Sequence, residues 1–382
     1  MPAERRESDL PHFGPLSALA NDPKVTDVAV TCDGGVWVDR GDGMREEQVA
    51  LPLRDPQVIR EYAVQLCSQL GRRLDDSCPI ADASTPGGIR VHAVIAPIVP
   101  QGASISIRFP DRVTAHLTQL CAGGLMPAAW MNVLRRLVRA RASLLVTGGT
   151  GTGKTTLLKA LLAECPQTER IITVEEVREL GGFDHPNHVS LVTREANVEG
   201  AGAIGLPALV KATLRMRPDR VVLGECRGEE IADLLRALNS GHHGGMATVH
   251  ADGVSRVPAR LSTLGLLAGL SPVALAMLAE GAFDVVIHLE REHGVRRIAQ
   301  IGCLRAADDG SLVGRPICEW DGRDPPICHR PLWDEFVARW QVPGARSDPI
   351  RSRSGRSNRG RSEPVRSGRA RLAPALPPRR EG

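Results

Sequence analysis

The sequence predicts a two-domain α/β protein with a basic C-terminal tail. After residue 127, short continuous apolar runs alternate with helical segments, which is typical of strands buried on both faces of a mostly parallel sheet. Between residues 14 and 110 the pattern is mixed and rich in strands, which indicates a separate α+β domain. Beyond about residue 341, arginine, serine and proline dominate, and such a segment cannot bury enough apolar surface to fold.

The N-terminal domain is predicted to span residues 14–110, after a disordered segment at 1–13. Valines on both sides of the turn at Asp33–Gly35 indicate a β-hairpin. Apolar residues at helical spacing predict a helix, and two later runs predict paired strands. These elements are placed at residues 25–38, 55–70, 89–99 and 103–107, and residues 111–126 are expected to be a linker.

The second domain is predicted to span residues 127–315, and residues 316–382 are expected to be irregular to disordered. Leu261–Ala279 carries no charge, but its Ser271-Pro272 pair is a helix start signal and favours two short packed helices over a membrane span. The other predicted elements are a helix at 127–140 and strands at 143–147, 171–174, 221–223, 283–289 and 297–301.

Charge is distributed unevenly along the chain. The segment 341–382 holds eleven arginines and three acids, so it carries +8 while the chain as a whole carries +4; by subtraction, the rest carries about −4. Such a tail is expected to be attracted to anionic lipid. The nine cysteines are scattered, with no C-x-x-C pair, which predicts a reduced, cytosolic protein without disulfides or structural zinc. The N-terminus lacks the apolar core of a signal peptide.

The segment Gly148–Thr155 fits the pattern G-x-x-x-x-G-K-[ST] at every fixed position, between a predicted strand and a predicted helix. Glycines allow consecutive backbone N–H groups to surround phosphates, Lys154 meets the β- and γ-phosphates, and the Thr155 hydroxyl binds Mg²⁺. ATP and Mg²⁺ are therefore the predicted cofactors. The predicted nucleotide-binding residues are Gly148, Gly149, Thr150, Gly151, Thr152, Gly153, Lys154, Thr155 and Thr156.

Two of the apolar strands end in acids. Glu175 and Glu176 follow one strand, and Glu225 follows another. Carboxylates at the carboxyl ends of parallel strands converge at the edge of the sheet where ligands bind. Each acid could equally lie exposed on the surface, so the position alone leaves both interpretations open.

Three histidines, His242, His243 and His250, surround a glycine-rich segment at residues 244–248. Glycine allows close approach of another group, which favours contact with a ligand or a neighbouring subunit. Ordinary core or surface histidines are the alternative.

These motifs together resemble one superfamily, the hexameric ATPases of type II and type IV secretion, and most closely those of Tad-type pili and conjugal-transfer systems. The resemblance runs from about Asp22 to Leu304. It implies a RecA-like P-loop ATPase domain behind the α+β domain. Besides the glycine-rich loop, five segments carry it: Asp22–Val28, Arg90–Pro97, Thr173–Val177, Leu214–Arg227 and Ser240–Ala251.

The resemblance implies roles for individual side chains. Glu175 would position the attacking water. Glu225 would act near Mg²⁺, so that Thr155 and Glu225 would hold the metal, the carboxylate through water. His250, together with His242, would sense the γ-phosphate or the adjoining subunit.

Arginines of the N-terminal domain would reach the phosphates, with Arg90 and Arg108 as the candidates. The ATPase domain has alternatives of its own, namely Arg215, Arg217 and Arg227. Two positions depart from the family pattern: Glu176 stands where Asp is frequent, and His92 stands where Asn is common.

The resemblance further implies a cytoplasmic ring, expected to be a hexamer, at the inner face of the cell membrane beside the platform proteins of a secretion or pilus system. A nucleic-acid motor of the conjugation or helicase type is the first alternative, although the acidic core and the few aromatic residues disfavour it. A non-enzymatic nucleotide-binding scaffold is the second. The presence of Lys154, Thr155, Glu175 and Glu225 together argues against it.

Overall fold

The computed structural model describes residues 11–49, 55–85, 87–110, 116–181, 183, 185–196, 201–342 and 351–353. Two mixed α/β domains follow one another, so the predicted fold class is confirmed. Of the segments predicted to be disordered or irregular, 1–13 and 316–382, residues 1–10, 343–350 and 354–382 lie outside the described residues.

In the part of the chain that the structure describes, six strands and two α-helices form the N-terminal domain. The strands make one antiparallel sheet in the order β3-β2-β1-β6-β5-β4, and the second helix packs against β4, β5 and β6. That helix begins as predicted, because the Asp55 side chain accepts a hydrogen bond from the backbone N–H of Gln57 at 2.8 Å. The elements are α1 (Ser17–Asn21), β1 (Asp27–Val30), β2 (Val36–Asp39), β3 (Met44–Glu46), α2 (Pro56–Gln69), β4 (Ile80–Ser84), β5 (Arg90–Ile95) and β6 (Ala103–Arg108).

The prediction of disorder is wrong for Phe13. This side chain is 3% exposed, its ring centroid lies 5.8 Å from that of Phe109, and the Tyr62 hydroxyl donates to its backbone carbonyl at 2.8 Å. The burial of one aromatic ring anchors the chain at this point.

The second domain is built on a ten-stranded sheet. Its elements are α3 (Leu117–Ala122), α4 (Ala128–Arg139), β7 (Leu144–Gly148), α5 (Lys154–Leu162), β8 (Ile171–Glu175), β9 (His188–Val192), α6 (Leu206–Thr213), β10 (Arg220–Leu223), α7 (Glu230–Asn239), β11 (Met246–Val249), α8 (Val257–Leu267), α9 (Pro272–Ala282), β12 (Val285–Glu292), β13 (Val295–Ala306), β14 (Leu312–Glu319), β15 (Ile327–His329), α10 (Leu332–Trp340) and β16 (Arg351–Arg353). The strand order is β16-β15-β14-β13-β12-β7-β11-β10-β8-β9.

Six neighbouring strands of this sheet, from β12 to β9 in that order, run parallel. β13, β14 and β15 extend it as antiparallel strands, and β16 pairs in parallel with β15. The strands β7, β8, β10 and β11 are buried at every position, which explains their continuous apolar sequences. Their carboxyl ends share one edge of the sheet, where the candidate site lies.

At the opposite edge of the sheet, a fully buried arginine joins several elements. Arg220, at the start of β10, forms an ion pair with Glu169 just before β8. Its two terminal nitrogens donate to the carbonyls of Val138 in α4 and Gly244 before β11, at 2.8 and 3.2 Å. The guanidinium therefore joins the amino-terminal ends of the parallel strands β8, β10 and β11 to the carboxyl-terminal end of helix α4.

The structure differs from the prediction in the segment expected to be a linker. Residues 117–122 form α3, and Leu117, Leu125 and Met126 are buried in the core of the second domain. Residues 111–115 lie outside the described part of the chain.

The structure also differs after residue 315. β14 continues to Glu319, and β15 and α10 follow it. Trp333, Phe336 and Trp340 join the same core cluster as the leucines of α5. The prediction that compact structure ends near residue 315 is wrong, because the apolar side chains of this segment pack into the core of the second domain.

Cys318 on β14 and Cys328 on β15 are paired across the two strands and form a disulfide, with 4.1 Å between their Cα atoms. The prediction of a chain without disulfides is wrong at this pair. Spacing in sequence gave no sign of it, because the register of β14 on β15 brings the two thiols together.

The uncharged segment forms two helices, α8 and α9, as predicted, and the Ser271 hydroxyl caps α9 by accepting from the backbone N–H of Ala274 at 3.2 Å. Across the described ranges, no single helix has the length and apolar character to cross a membrane. The pair Val254–Leu267 and Pro272–Ala282 meets that test only when taken together, and it is bent by 119°.

Candidate active site

The loop from Gly148 to Gly153 joins β7 to α5 through backbone conformations that require glycine. Gly148, Gly151 and Gly153 have φ values of 151°, 72° and 96°. A Cβ atom on Gly148 would lie 2.5 Å from the Leu289 carbonyl oxygen, so a side chain is excluded there on two grounds. Since α5 begins at Lys154, its N-terminal N–H groups point into the loop and favour a bound anion.

Lys154 is 8% exposed, and its Nζ donates to the carbonyls of Gly148 and Gly149 at 3.0 and 2.8 Å. Burial lowers its pKa. The Thr152 hydroxyl also donates to the Gly149 carbonyl, at 2.9 Å. The ammonium group is thus held inside the loop, where it could exchange carbonyl oxygens for phosphate oxygens.

A cleft of about 810 Å³ opens between the two domains above this loop. The P-loop, the carboxyl ends of β8, β10 and β11 and the β12–β13 hairpin line it from the side of the second domain. The N-terminal domain contributes the other wall, including Arg90, Arg108 and Phe109. The described structure therefore brings together most of the predicted residues: Thr150, Gly151, Gly153, Lys154, Thr155, Thr156, Glu175, Glu225, His250, Arg90 and Arg108.

Arg90 crosses the cleft and forms an ion pair with Glu179 of the second domain. Arg108 lines the same cleft, but its Nε donates to Asp27 of its own domain at 2.9 Å, and this hydrogen bond raises its pKa. The two predicted arginines are thus held differently, because one is paired across the domain boundary and the other within its domain.

Glu179 is a site residue that sequence reasoning missed. Its Oε2 accepts a hydrogen bond from the Thr155 hydroxyl at 3.2 Å, and its other oxygen pairs with Arg90. One carboxylate therefore connects the P-loop to the N-terminal domain. Glu179 lies in an irregular segment four residues after Glu175, and no pattern distinguished it from its neighbours.

Glu175 is placed behind Glu179. It is 4% exposed, and its Oε1 accepts hydrogen bonds from the backbone N–H groups of Glu179 and Leu180 at 3.0 and 2.9 Å. Burial raises its pKa to about 7, against the effect of these two hydrogen bonds. Its Oε2 is buried and has no hydrogen-bond partner among the described residues. Glu175 thus holds the turn that presents Glu179.

Glu225 forms two contacts at the end of β10. Its Oε2 accepts from Arg227 at 2.7 Å, and its Oε1 lies 2.8 Å from His250 Nε2. Burial is the largest single effect on Glu225 and opposes its ionisation, but the Arg227 hydrogen bond and the nearby charges of Arg227, His250 and Lys154 together lower its pKa. Burial lowers the pKa of His250. Arg227 also pairs with Glu176 at 2.7 Å, so the two predicted strand-end acids share one arginine.

The structure separates His242 from this group. His250 follows β11 at the carboxyl edge of the sheet, whereas His242 and His243 precede β11 at the opposite end and do not line the cleft. Arg215 and Arg217 also lie outside the cleft lining. Among the predicted arginines of the second domain, Arg227 alone lines it.

The family model described as Type II/IV secretion system protein matches residues 10–300. That range covers both walls of the cleft and all of the predicted catalytic residues. The chain belongs to this family. It is an ATPase of the type II/IV secretion superfamily, and the resemblance to that superfamily inferred from the sequence is confirmed.

Similar proteins extend over most of the chain. A putative conjugal transfer protein of Mycobacterium tuberculosis is 43% identical over 309 residues, covering 79% of this chain and 87% of the relative. A type IV secretion system PtlH homolog of Bordetella bronchiseptica is 33% identical over 319 residues, covering 76% and 93%. VirB11 of Brucella suis is 32% identical over 279 residues, covering 67% and 77%.

Solved structures share the fold. The ATPase DotB of Legionella pneumophila has a TM-score of 0.52 at 17% identity and covers 77% of this chain and 80% of its own. The pilus retraction motor PilT, solved with bound ADP, has a TM-score of 0.50 at 17% identity and covers 80% and 83%.

Proposed function

We propose that this protein is a ring-forming motor that uses ATP hydrolysis to drive assembly of a Tad-type pilus or export through a type IV-like system. One observation carries the proposal: Glu179 binds the P-loop hydroxyl of Thr155 with one oxygen and Arg90 of the other domain with its second. Nucleotide entering the P-loop must disturb this connection. Nucleotide binding would therefore change the position of the N-terminal domain, which is what a motor requires.

The residues fit ATP with Mg²⁺. The Thr155 hydroxyl and the carboxylates of Glu179 and Glu225 are hard oxygen donors on one side of the P-loop, the kind of ligand that Mg²⁺ prefers. The metal would neutralise charge on the β- and γ-phosphates when bound. We assign Thr155 to direct coordination and Glu225 to contact through water.

In the reaction, water attacks the γ-phosphorus and the bond to the ADP oxygen breaks. Lys154 would hold the β- and γ-phosphates, and Arg90 would turn from Glu179 to the charge that develops on the γ-phosphate. Once released, the Glu179 carboxylate could accept the proton of the water. Glu175 would position Glu179 by its two backbone hydrogen bonds. His250, already on Glu225, would report the state of the γ-phosphate.

The proposed assembly is a homo-oligomer, with a hexamer as the expected ring. The site of action is the cytoplasmic face of the inner membrane, where the ring would act on the platform proteins of the secretion system. The relatives named for type IV secretion and conjugal transfer support this placement.

The direct test measures the molar mass of the assembly and the rate of ATP hydrolysis. Full-length protein is analysed by light scattering with and without ATP and Mg²⁺, and phosphate release is measured across protein concentrations. A concentration-dependent ATPase that forms a closed ring supports the motor. A stable monomer that binds ATP without releasing phosphate would instead support a nucleotide-binding scaffold.

A motor acting directly on nucleic acid is the second candidate, because the relative with 43% identity is named for conjugal transfer and the segment 341–382 holds eleven arginines. Single-stranded and duplex DNA are added to the ATPase assay at physiological salt. Stimulation that survives this salt concentration favours the second candidate, since purely electrostatic binding weakens steeply with ionic strength.

A further inference from the structure

The hairpin formed by β12 and β13 contacts both the P-loop and the N-terminal domain. Its first strand is in register with the strand that enters the P-loop, with Leu289 opposite Gly148. Beyond this point two exposed arginines flank the turn at His293 and Gly294, and both line the cleft: Arg291 and Arg296.

Arg296 contacts the P-loop at the border of the cleft. Its Nε donates to the Gly151 carbonyl at 3.0 Å, and a side chain on Gly153 would come within 3.6 Å of its Cδ. The carbonyl and the N–H of a peptide unit point in opposite directions, because the unit is planar and trans. Holding the Gly151 carbonyl toward the hairpin therefore turns the Thr152 N–H away from Arg296, so that it is available to the phosphates that P-loop amides surround.

Arg291 extends the same connection to the other domain. Its terminal nitrogen donates to the Gly41 carbonyl, in the turn between β2 and β3, at 3.1 Å. A side chain on Gly151 would come within 3.5 Å of the Arg291 guanidinium, so this arginine also borders the P-loop. One short hairpin thus contacts both partners of the cleft through backbone carbonyls.

We propose that Arg296 is a positioning residue that preorganises the P-loop for ATP, and that Arg291 makes this preorganisation depend on the position of the N-terminal domain. The inference rests on the proposed function and adds a route by which domain movement would change nucleotide affinity. Neither arginine need touch the reacting atoms. If the Thr152 N–H already faces the phosphate site, no binding free energy is lost in rotating the peptide when ATP binds. Replacing Arg296 should therefore weaken ATP binding and leave the chemical step almost unchanged.

Five variants of the full chain test this: Arg296→Gln, Arg296→Lys, Arg291→Gln, the double glutamine variant and the control Arg315→Gln. Arg315 is exposed on β14, within the same sheet but away from the cleft. ATP dissociation constants come from titration with a fluorescent ATP analogue, and kcat comes from phosphate release. Hydrogen exchange of the P-loop amides without nucleotide gives a readout that is independent of activity.

We expect Arg296→Gln to raise the ATP Kd by about tenfold and to change kcat by less than about threefold, as for the loss of one charge-assisted hydrogen bond. Exchange of the P-loop amides should rise, and Arg296→Lys should restore part of the affinity. Arg291→Gln should raise Kd by only about threefold and should add nothing once Arg296 is replaced.

A Kd for Arg296→Gln within about twofold of wild type, or a loss confined to kcat, would overturn the inference. Additive effects of the two glutamine substitutions would overturn the role of Arg291. Lys154→Ala is measured in parallel to separate the two hypotheses. If Lys154→Ala loses ATP and Arg296→Gln does not, the proposed function stands and only the inference fails. If Lys154→Ala still binds ATP normally, the proposed function itself fails.

Discussion

The two walls of the cleft are built in different ways. The P-loop wall is local: Lys154 binds carbonyls five and six residues away, and the loop continues directly into α5. The N-terminal wall reaches the site across the domain boundary, where Arg90 meets Glu179 from 89 positions away in sequence. A local wall exists before nucleotide arrives, whereas a distant wall depends on domain position. The first should therefore control binding, and the second should control turnover.

The largest effect should come from the local wall. Lys154→Ala should weaken ATP binding by at least ~100-fold, because it removes a buried charge from the β- and γ-phosphates. Lys211→Ala is the matched control, since Lys211 is exposed and pairs with Asp233 on the surface. Equilibrium binding of a labelled nucleotide measures both. If the Lys154 variant retains its affinity for ATP, the P-loop wall does not control nucleotide binding.

Glu175 at the end of β8 and Glu179 four residues later sharpen the comparison, because Glu179 binds Thr155 and Arg90 whereas Glu175 holds the backbone of Glu179. Glu179→Gln should bind ATP normally and lose turnover by ~100-fold or more, because it removes the carboxylate beside Thr155. Glu175→Gln should lose only about tenfold, since the amide oxygen of Gln can still accept from the backbone N–H groups of Glu179 and Leu180. Phosphate release under saturating ATP measures both. A greater loss in Glu175→Gln would instead support Glu175 as the acid that positions water.

Substitutions in the N-terminal wall should lower turnover and leave ATP affinity almost unchanged, the reverse of what is expected for Lys154. Arg90→Ala should lower kcat by roughly 30-fold while the ATP Kd changes by less than about threefold, because its charge is delivered to the transition state. Arg108→Ala should have a smaller effect, since Asp27 already binds this guanidinium. Arg60→Ala, on the surface of α2, is the control. If the double variant Arg90→Ala/Arg108→Ala turns over normally, the catalytic cation belongs to the ATPase domain, with Arg227 as its candidate.

The smallest effect should come from the basic tail. Removing residues 354–382 should leave the melting temperature and the basal ATPase activity unchanged. It should weaken sedimentation with anionic vesicles, at about 1 kcal/mol or less per arginine. Removing residues 332–382 is the contrast, because it also deletes the buried Trp333 and Trp340. That longer truncation should lower the melting temperature by at least ~5 °C, as expected for the loss of a core helix.

The sequence was most informative where structure is local. The strand, glycine-rich loop and helix around Gly148–Thr155 follow from their own residues, and so does the capped start of α9. The helix α2 likewise lies within the predicted range 55–70, and Asp55 caps its start. In each case the residues that predict the element also make the contacts that stabilise it.

The residues that were missed depend on contacts between distant parts of the chain. Glu179 is defined by an arginine in the other domain, and Arg296 by a hairpin that the sheet register brings to the P-loop. The burial of α10 likewise arises from packing in one core cluster with the distant helices α4 and α5. The Cys318–Cys328 disulfide is closer in sequence, but it depends on the register of β14 on β15. For His242 the error is the reverse, because a residue predicted to lie in the site lies outside it. The four residues of β11 separate His242 from His250 and place the two histidines at opposite ends of the strand.

The buried guanidinium of Arg220 has a mechanical consequence. By joining Glu169 and the carbonyls of Val138 and Gly244, it fastens the edge of the sheet opposite the cleft. If these contacts separated, the buried guanidinium would be left without partners, which is strongly unfavourable, so we expect this end of the strands to stay closed. Movements driven by ATP would then be confined to the cleft side of the second domain. The parallel sheet would act as a rigid support relative to which the N-terminal domain moves.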